Sequence, residues 1–61
     1  MPIVQIHILE GRTVEQKRKM ADGVTKAICD SLSVGPEKVR IIISNMENED
    51  FAVAGKLVVD N

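Results

Sequence analysis

From Ile3 to Leu9 the chain alternates. Val4, Ile6 and Ile8 fall on one face of an extended segment, and Ile3, Gln5, His7 and Leu9 fall on the other. This pattern predicts a strand with one dry and one mixed face. Glu10-Gly11-Arg12 ends it, with Gly11 supplying a permissive backbone for the turn. The period then changes. Thr13-Val14-Glu15-Gln16 fits a capping box, with Thr13 as N-cap and Gln16 at the third helical position. Val14, Met20, Ala21, Val24, Ala27, Ile28 and Leu32 recur at helical spacing and predict a helix over 14–32. Lys17, Arg18, Lys19, Asp22, Lys26 and Asp30 lie mostly off that stripe. Gly23 weakens the helix by ~1 kcal/mol relative to alanine. Gly35 is placed to cap the helix, and Pro36 cannot continue it. One tight turn is expected over Pro36-Glu37-Lys38. The run Val39 to Ser44 is almost continuously β-branched, as in a strand covered on both faces. Asn45 to Asp50 reads as a polar, acidic loop. Phe51 to Val59 reads as a short hairpin or arm with a bend near Gly55.

Strand, helix and strand in this order make a β-α-β unit, with parallel strands and a right-handed crossover. The expected class is α/β (α+β), one domain over 1–61 with a short C-terminal hairpin. Composition adds a problem of size. A chain of 61 residues buries only about 60% of its unfolded surface and normally needs a staple. The single cysteine, Cys29, cannot form an internal disulfide, and no His/Cys cluster has metal-ligand spacing. Yet 44% of the residues are hydrophobic. Surplus apolar surface without staples predicts a homo-oligomer joined through the sheet. A formal net charge of −1 and a lone aromatic, Phe51, argue against nucleic acid and an anionic membrane as partners. No signal peptide or membrane span is read. With the free thiol, this leads to a cytoplasmic expectation.

Candidate chemistry is sparse, which makes it legible. If Met1 is removed, as the small Pro2 side chain permits, the chain starts with a secondary amine tied directly to a strand. His7, the only histidine, is expected as a half-buried or interface residue. Cys29 lies beside the apolar stripe with no local base to activate it, and reads as an inert thiol. Arg12 ends the first strand and Arg40 begins the second. In a parallel pair these are opposite ends of the sheet, and Pro2 shares the end of Arg40. One subunit cannot easily bring both arginines to Pro2, whereas an oligomer can. On these residues alone, a non-catalytic binding module in which the arginines form salt bridges remains open.

The segments Met1-Pro2-Ile3, Gln5 to Arg12, Glu15-Gln16-Lys17, Val39-Arg40, and Phe51 before an Ala/Gly-rich stretch resemble 4-oxalocrotonate tautomerase and its small relatives. The resemblance runs nearly the whole chain without a needed gap. It implies that Pro2 is the general base, and that Arg12 and Arg40 engage the substrate's carboxylate and carbonyl groups. It further implies that Phe51 walls the site and that the backbone at Leu9 contributes through ordered water. It implies a hexamer built as a trimer of dimers, with no cofactor and no metal. The C-terminal Asp60-Asn61 lacks the basic tail of some members.

The implied reaction is enol-to-ketone isomerisation of 2-hydroxymuconate-like, 4-oxalocrotonate-like or arylpyruvate-like 2-oxo acids. The substrate would be a small anionic 2-oxo or 2-hydroxy dienoic acid, as in aromatic catabolism. Such chemistry needs a base poised near neutral pH. Apolar neighbours such as Ile3 and Phe51, and nearby arginine cations, disfavour the prolinium and lower its pKa. A second reading within the superfamily is a hydratase or dehalogenase acting on unsaturated acids. That reading needs a carboxylate to activate water, and Glu10 or the 47–50 acids are the candidates.

Overall fold

The computed structural model describes residues 1–60. Strand β1 (Ile3–Leu9) leads into helix α1 (Val14–Leu32), and β2 (Arg40–Met46) returns parallel to β1. A two-stranded antiparallel hairpin follows, β3 (Ala52–Val53) with β4 (Lys56–Leu57). Single 3-10 turns occupy Pro36–Lys38, Asn48–Asp50 and Val58–Asp60. The expected β-α-β unit and C-terminal hairpin are both present.

The parallel ladder runs from Ile3 opposite Arg40 to Leu9 opposite Met46. Val4, Ile6, Ile8, Ile41 and Ile43 share the half-buried face, as do Lys17, Met20, Ala21, Val24, Thr25, Ile28 and Cys29 on α1. The helix stripe is therefore shifted from the expected one. Val14, Ala27 and Leu32 are exposed, while the Lys17 stem, Thr25 and Cys29 are partly covered. β2 also differs from its expected bounds. Asn45 and Met46 are polar or flexible, yet they continue the strand because they pair with Ile8 and Leu9.

The helix begins as its sequence dictates. Gln16 N–H donates to the Thr13 hydroxyl at 3.1 Å, and Thr13 N–H donates to the Gln16 side-chain oxygen at 2.9 Å. Thr13→Ala removes one half of this reciprocal cap and is expected to cost about 1 kcal/mol. A lowered midpoint of thermal unfolding at fixed protein concentration measures it. The other end departs from expectation. Ser33, not Gly35, takes the left-handed cap, at φ 55°. Gly35 is extended (φ −78°, ψ 157°) because the residue before a proline is pushed away from helical backbone. In the hairpin, Ala54 (φ 54°) and Gly55 (φ 82°) both have positive φ, as a two-residue turn of the I′ type requires.

No described residue is fully buried. The molecule measures 43 × 23 × 13 Å with a radius of gyration of 14.5 Å, against about 10.5 Å for a compact chain of this length. Its accessible surface is 4720 Å², against about 3900 Å² for a compact monomer of this mass. The face of β2 expected to be covered is open: Ile42 is 49% exposed, and Ile3 on the same face of β1 is 58% exposed. The helix covers one face of the sheet, and no described residue covers the other. No helix among the described residues is long and apolar enough to cross a membrane.

Candidate active site

Two separate groups of candidate residues emerge from the ladder. At one end, Pro2 precedes β1 and its carbonyl accepts a hydrogen bond from Arg40 N–H at 3.0 Å. This extra rung holds Pro2 directly at the sheet edge. The Arg40 side chain is steered by the preceding turn: its Nη1 donates to the Glu37 carbonyl at 2.6 Å. Pro36 starts that turn, and Val39 N–H closes it on the Pro36 carbonyl at 3.2 Å. The half-buried Pro2 and the exposed Arg40 are thus brought together by backbone geometry.

Leu9 and Arg12 stand at the other end. Ile8, Leu9, Glu10, Gly11 and Arg12 line an open cleft of about 420 Å³ with Asn48. Gly11, at φ 108°, makes the bend that turns Arg12 away from the strand line. Glu10 closes the ladder: its N–H donates to the Met46 carbonyl at 2.7 Å, and its carboxylate accepts from Asn48 N–H at 2.8 Å. Phe51 follows the Asn48–Asp50 turn, is 38% exposed, and its carbonyl accepts from Val58 N–H at 2.9 Å. Six strand steps separate the two ends, roughly 20 Å. Within one chain the candidate arginines cannot meet on a small substrate, as their positions in the parallel strands required.

His7 is exposed on the open sheet face, opposite Ser44 in the register. Cys29 is half-buried and unpaired. Glu47, Glu49 and Asp50 bring carboxylate oxygens within 4.8 Å of one another, all three residues being exposed. Two backbone contributors were not legible in the sequence: the Glu37 carbonyl and the Asn48 amide. Neither depends on its side chain, so no residue type marks it.

A family model described as Tautomerase enzyme matches residues 2–61. The chain belongs to the tautomerase family. It is an isomerase resembling 4-oxalocrotonate tautomerase. The 2-hydroxymuconate tautomerase of Bacillus subtilis is 42% identical over 60 residues, covering 98% of this chain and 97% of that one. Among solved structures, a 4-oxalocrotonate tautomerase isozyme from Methylibium petroleiphilum superposes with a TM-score of 0.94 at 46% identity, covering 97% and 92% of the two chains. A heterohexamer 4-oxalocrotonate tautomerase from Chloroflexus aurantiacus gives a TM-score of 0.93 at 30% identity, covering 98% of this chain and 97% of that one. These matches span the tautomerase from end to end, so the fold and the reaction class both stand on whole-chain similarity.

Proposed function

We propose that the protein is a cofactor-independent tautomerase of small 2-hydroxy dienoic acids such as 2-hydroxymuconate, with the Pro2 amine as general base. Removal of Met1 frees that amine. The observation that carries the reading is the hydrogen bond from Arg40 N–H to the Pro2 carbonyl at 3.0 Å. It ties the residue that would become the N-terminus to the start of β2, where a flexible terminus would otherwise wander. A neutral Pro2 takes a proton from the enol and returns it a few ångströms away on the same conjugated chain. Arg40 and Arg12 hold the carboxylate and oxo groups through charge-assisted bonds. The one nearer the carbonyl offsets negative charge as the dienolate forms. Phe51 supplies an apolar wall, and Leu9 backbone groups reach substrate through water.

The site needs more than one subunit, because Arg12 stands roughly 20 Å from the end that carries Pro2. The open sheet face and the absence of any buried residue among those described support a homo-oligomer, and the Chloroflexus relative is a heterohexamer. A hexamer arranged as a trimer of dimers is our reading for this chain. Sedimentation equilibrium at micromolar concentration is expected to give a species of about six chains; a folded monomer there would refute it. Conversion of 2-hydroxymuconate to its conjugated ketone, followed by ultraviolet absorbance on protein shown by mass to begin at Pro2, tests the activity. No acceleration over buffer would sink the substrate assignment. The unpaired Cys29 thiol fits a cytoplasmic setting.

The hydratase reading is weaker on one specific ground. Glu10, the nearest carboxylate to Arg12 in sequence, already accepts the Asn48 amide at 2.8 Å. It is anchored to backbone rather than free to activate water.

A further inference from the structure

We propose that Glu10 is a positioning residue that shapes the anion-binding end of the site and keeps Arg12 free. The inference rests on Arg12 being a substrate contact.

Both polar ends of Glu10 are committed. Its N–H donates to the Met46 carbonyl at 2.7 Å, which extends the parallel ladder one step past β1. Its carboxylate accepts the Asn48 N–H at 2.8 Å, across 38 positions of sequence. Asn48 opens the 3-10 turn that leads to Phe51, so its amide has no helical acceptor of its own. The carboxylate fills that vacancy with a charge-assisted bond. Glu47 is thereby bracketed by two backbone groups tied to Glu10, the Met46 carbonyl and the Asn48 amide, and Asn48 lines the cleft with Leu9 and Arg12.

The second consequence concerns charge. Glu10 is two residues from Arg12, and Glu47, Glu49 and Asp50 cluster around Asn48, which lines the cleft with Arg12. A loose carboxylate here would pair with the guanidinium and compete with a substrate carboxylate. Yet the ion pairs among the described residues are Arg18–Glu15 and Lys26–Asp22, and Arg12 is in neither. Spending the Glu10 carboxylate on a backbone amide leaves the cation available to an incoming anion. Phe51 is three residues beyond Asn48, so the same contact also sets where the wall of the site begins.

Two substitutions separate this role from a general need for charge. Glu10→Ala removes the acceptor. Asn48→Pro removes the donor in a backbone suited to it, since Asn48 is the first residue of its turn and Glu47 before it is already extended at φ −76°, ψ 152°; the share due to the lost Asn48 side chain is read from the control Asn48→Ala, which keeps the amide N–H. Steady-state kinetics on 2-hydroxymuconate, with each variant confirmed as the native oligomer, is expected to show KM raised about tenfold in both, with kcat within about twofold. The double variant is expected to be no worse than either single one. Glu10→Gln keeps an acceptor oxygen without the charge and is expected to bring KM back to within about threefold of wild type. An unchanged KM in Asn48→Pro, or a Glu10→Gln variant as impaired as Glu10→Ala, would overturn the proposal. Hydrogen exchange at the Asn48 amide supplies a readout independent of turnover. It is expected to be severalfold faster in Glu10→Ala than in wild type and in Glu10→Gln, and equal rates in all three would also overturn it. A wild-type enzyme inactive on the dienol would sink the substrate reading instead, and the exchange rates would then decide the clamp alone.

Discussion

Protein that keeps Met1 is expected to lose at least about a hundredfold in kcat/KM relative to protein that begins at Pro2, while remaining assembled. The reason is bond order. With Met1 in place the Pro2 nitrogen is an amide, its lone pair is delocalised into the carbonyl, and it takes no proton at neutral pH. A positioned general base contributes roughly 10²–10⁴ in rate, so blocking it removes most of the catalysis. The rest of the fold is indifferent to the change, because the rung that holds Pro2 uses its carbonyl and not its nitrogen. Mass spectrometry reports the state of the terminus, and turnover of the two forms is compared at equal oligomer concentration. Equal rates would eliminate Pro2 as the base and return attention to His7 on the open sheet face. The pH profile carries the same content. With Pro2 as the base, the prolinium would be the inactive form, and kcat/KM is expected to rise with pH as it loses its proton. In the assembled site proposed above, partial burial and the arginines would disfavour the cation, so the midpoint is expected below that of a free N-terminal proline.

Arg12→Ala and Arg40→Ala are each expected to weaken kcat/KM on a dicarboxylate substrate by roughly 10–100-fold, the range for losing a hydrogen bond to a charged group. More telling is their mixture. Arg40 shares the Pro2 end of the sheet, tied to it by a 3.0 Å hydrogen bond. Arg12 lies beyond the far end of β1, roughly 20 Å away. If one subunit lends Arg12 to another's Pro2 and Arg40, oligomers reassembled from the two impaired variants contain some sites with both arginines. Activity is then expected to exceed that of either variant alone. Mixed assemblies, verified by mass, that never exceed the better parent would count against a shared site. They would leave the importance of each arginine untouched, since the single variants measure that directly.

Much of the fold was legible because it rests on local rules. The capping box fixed the start of α1 at Val14, and alternation fixed β1 at Ile3–Leu9. What escaped was set by partners distant in sequence. Asn45 and Met46 read as loop but are strand, because Ile8 and Leu9 lie opposite them. Ser33 caps the helix although Gly35 looked better suited, because Pro36 dictates the backbone of the residue before it. The opposite placement of Arg12 and Arg40 followed from strand direction alone. Their company did not: the Glu37 carbonyl and the Asn48 amide are main-chain groups, invisible to any reading of residue types. Glu10 was legible as a turn charge or a candidate water-activating carboxylate but not as an acceptor, since that role depends on a neighbour 38 positions away.

The 13 Å thickness of the chain has a consequence for how the enzyme responds to its own abundance. If copies assemble over the uncovered sheet face that bears Ile3 and Ile42, as proposed, each arriving copy adds stabilisation, and folding and association become linked by mass action. Halving the amount of chain synthesised then removes more than half of the active sites once the concentration nears the dissociation range. Above that range the sites are saturated with neighbours and activity tracks chain count linearly. A cell making little of this protein would therefore hold less activity than its copy number implies, and modest induction would return activity out of proportion to the new chains.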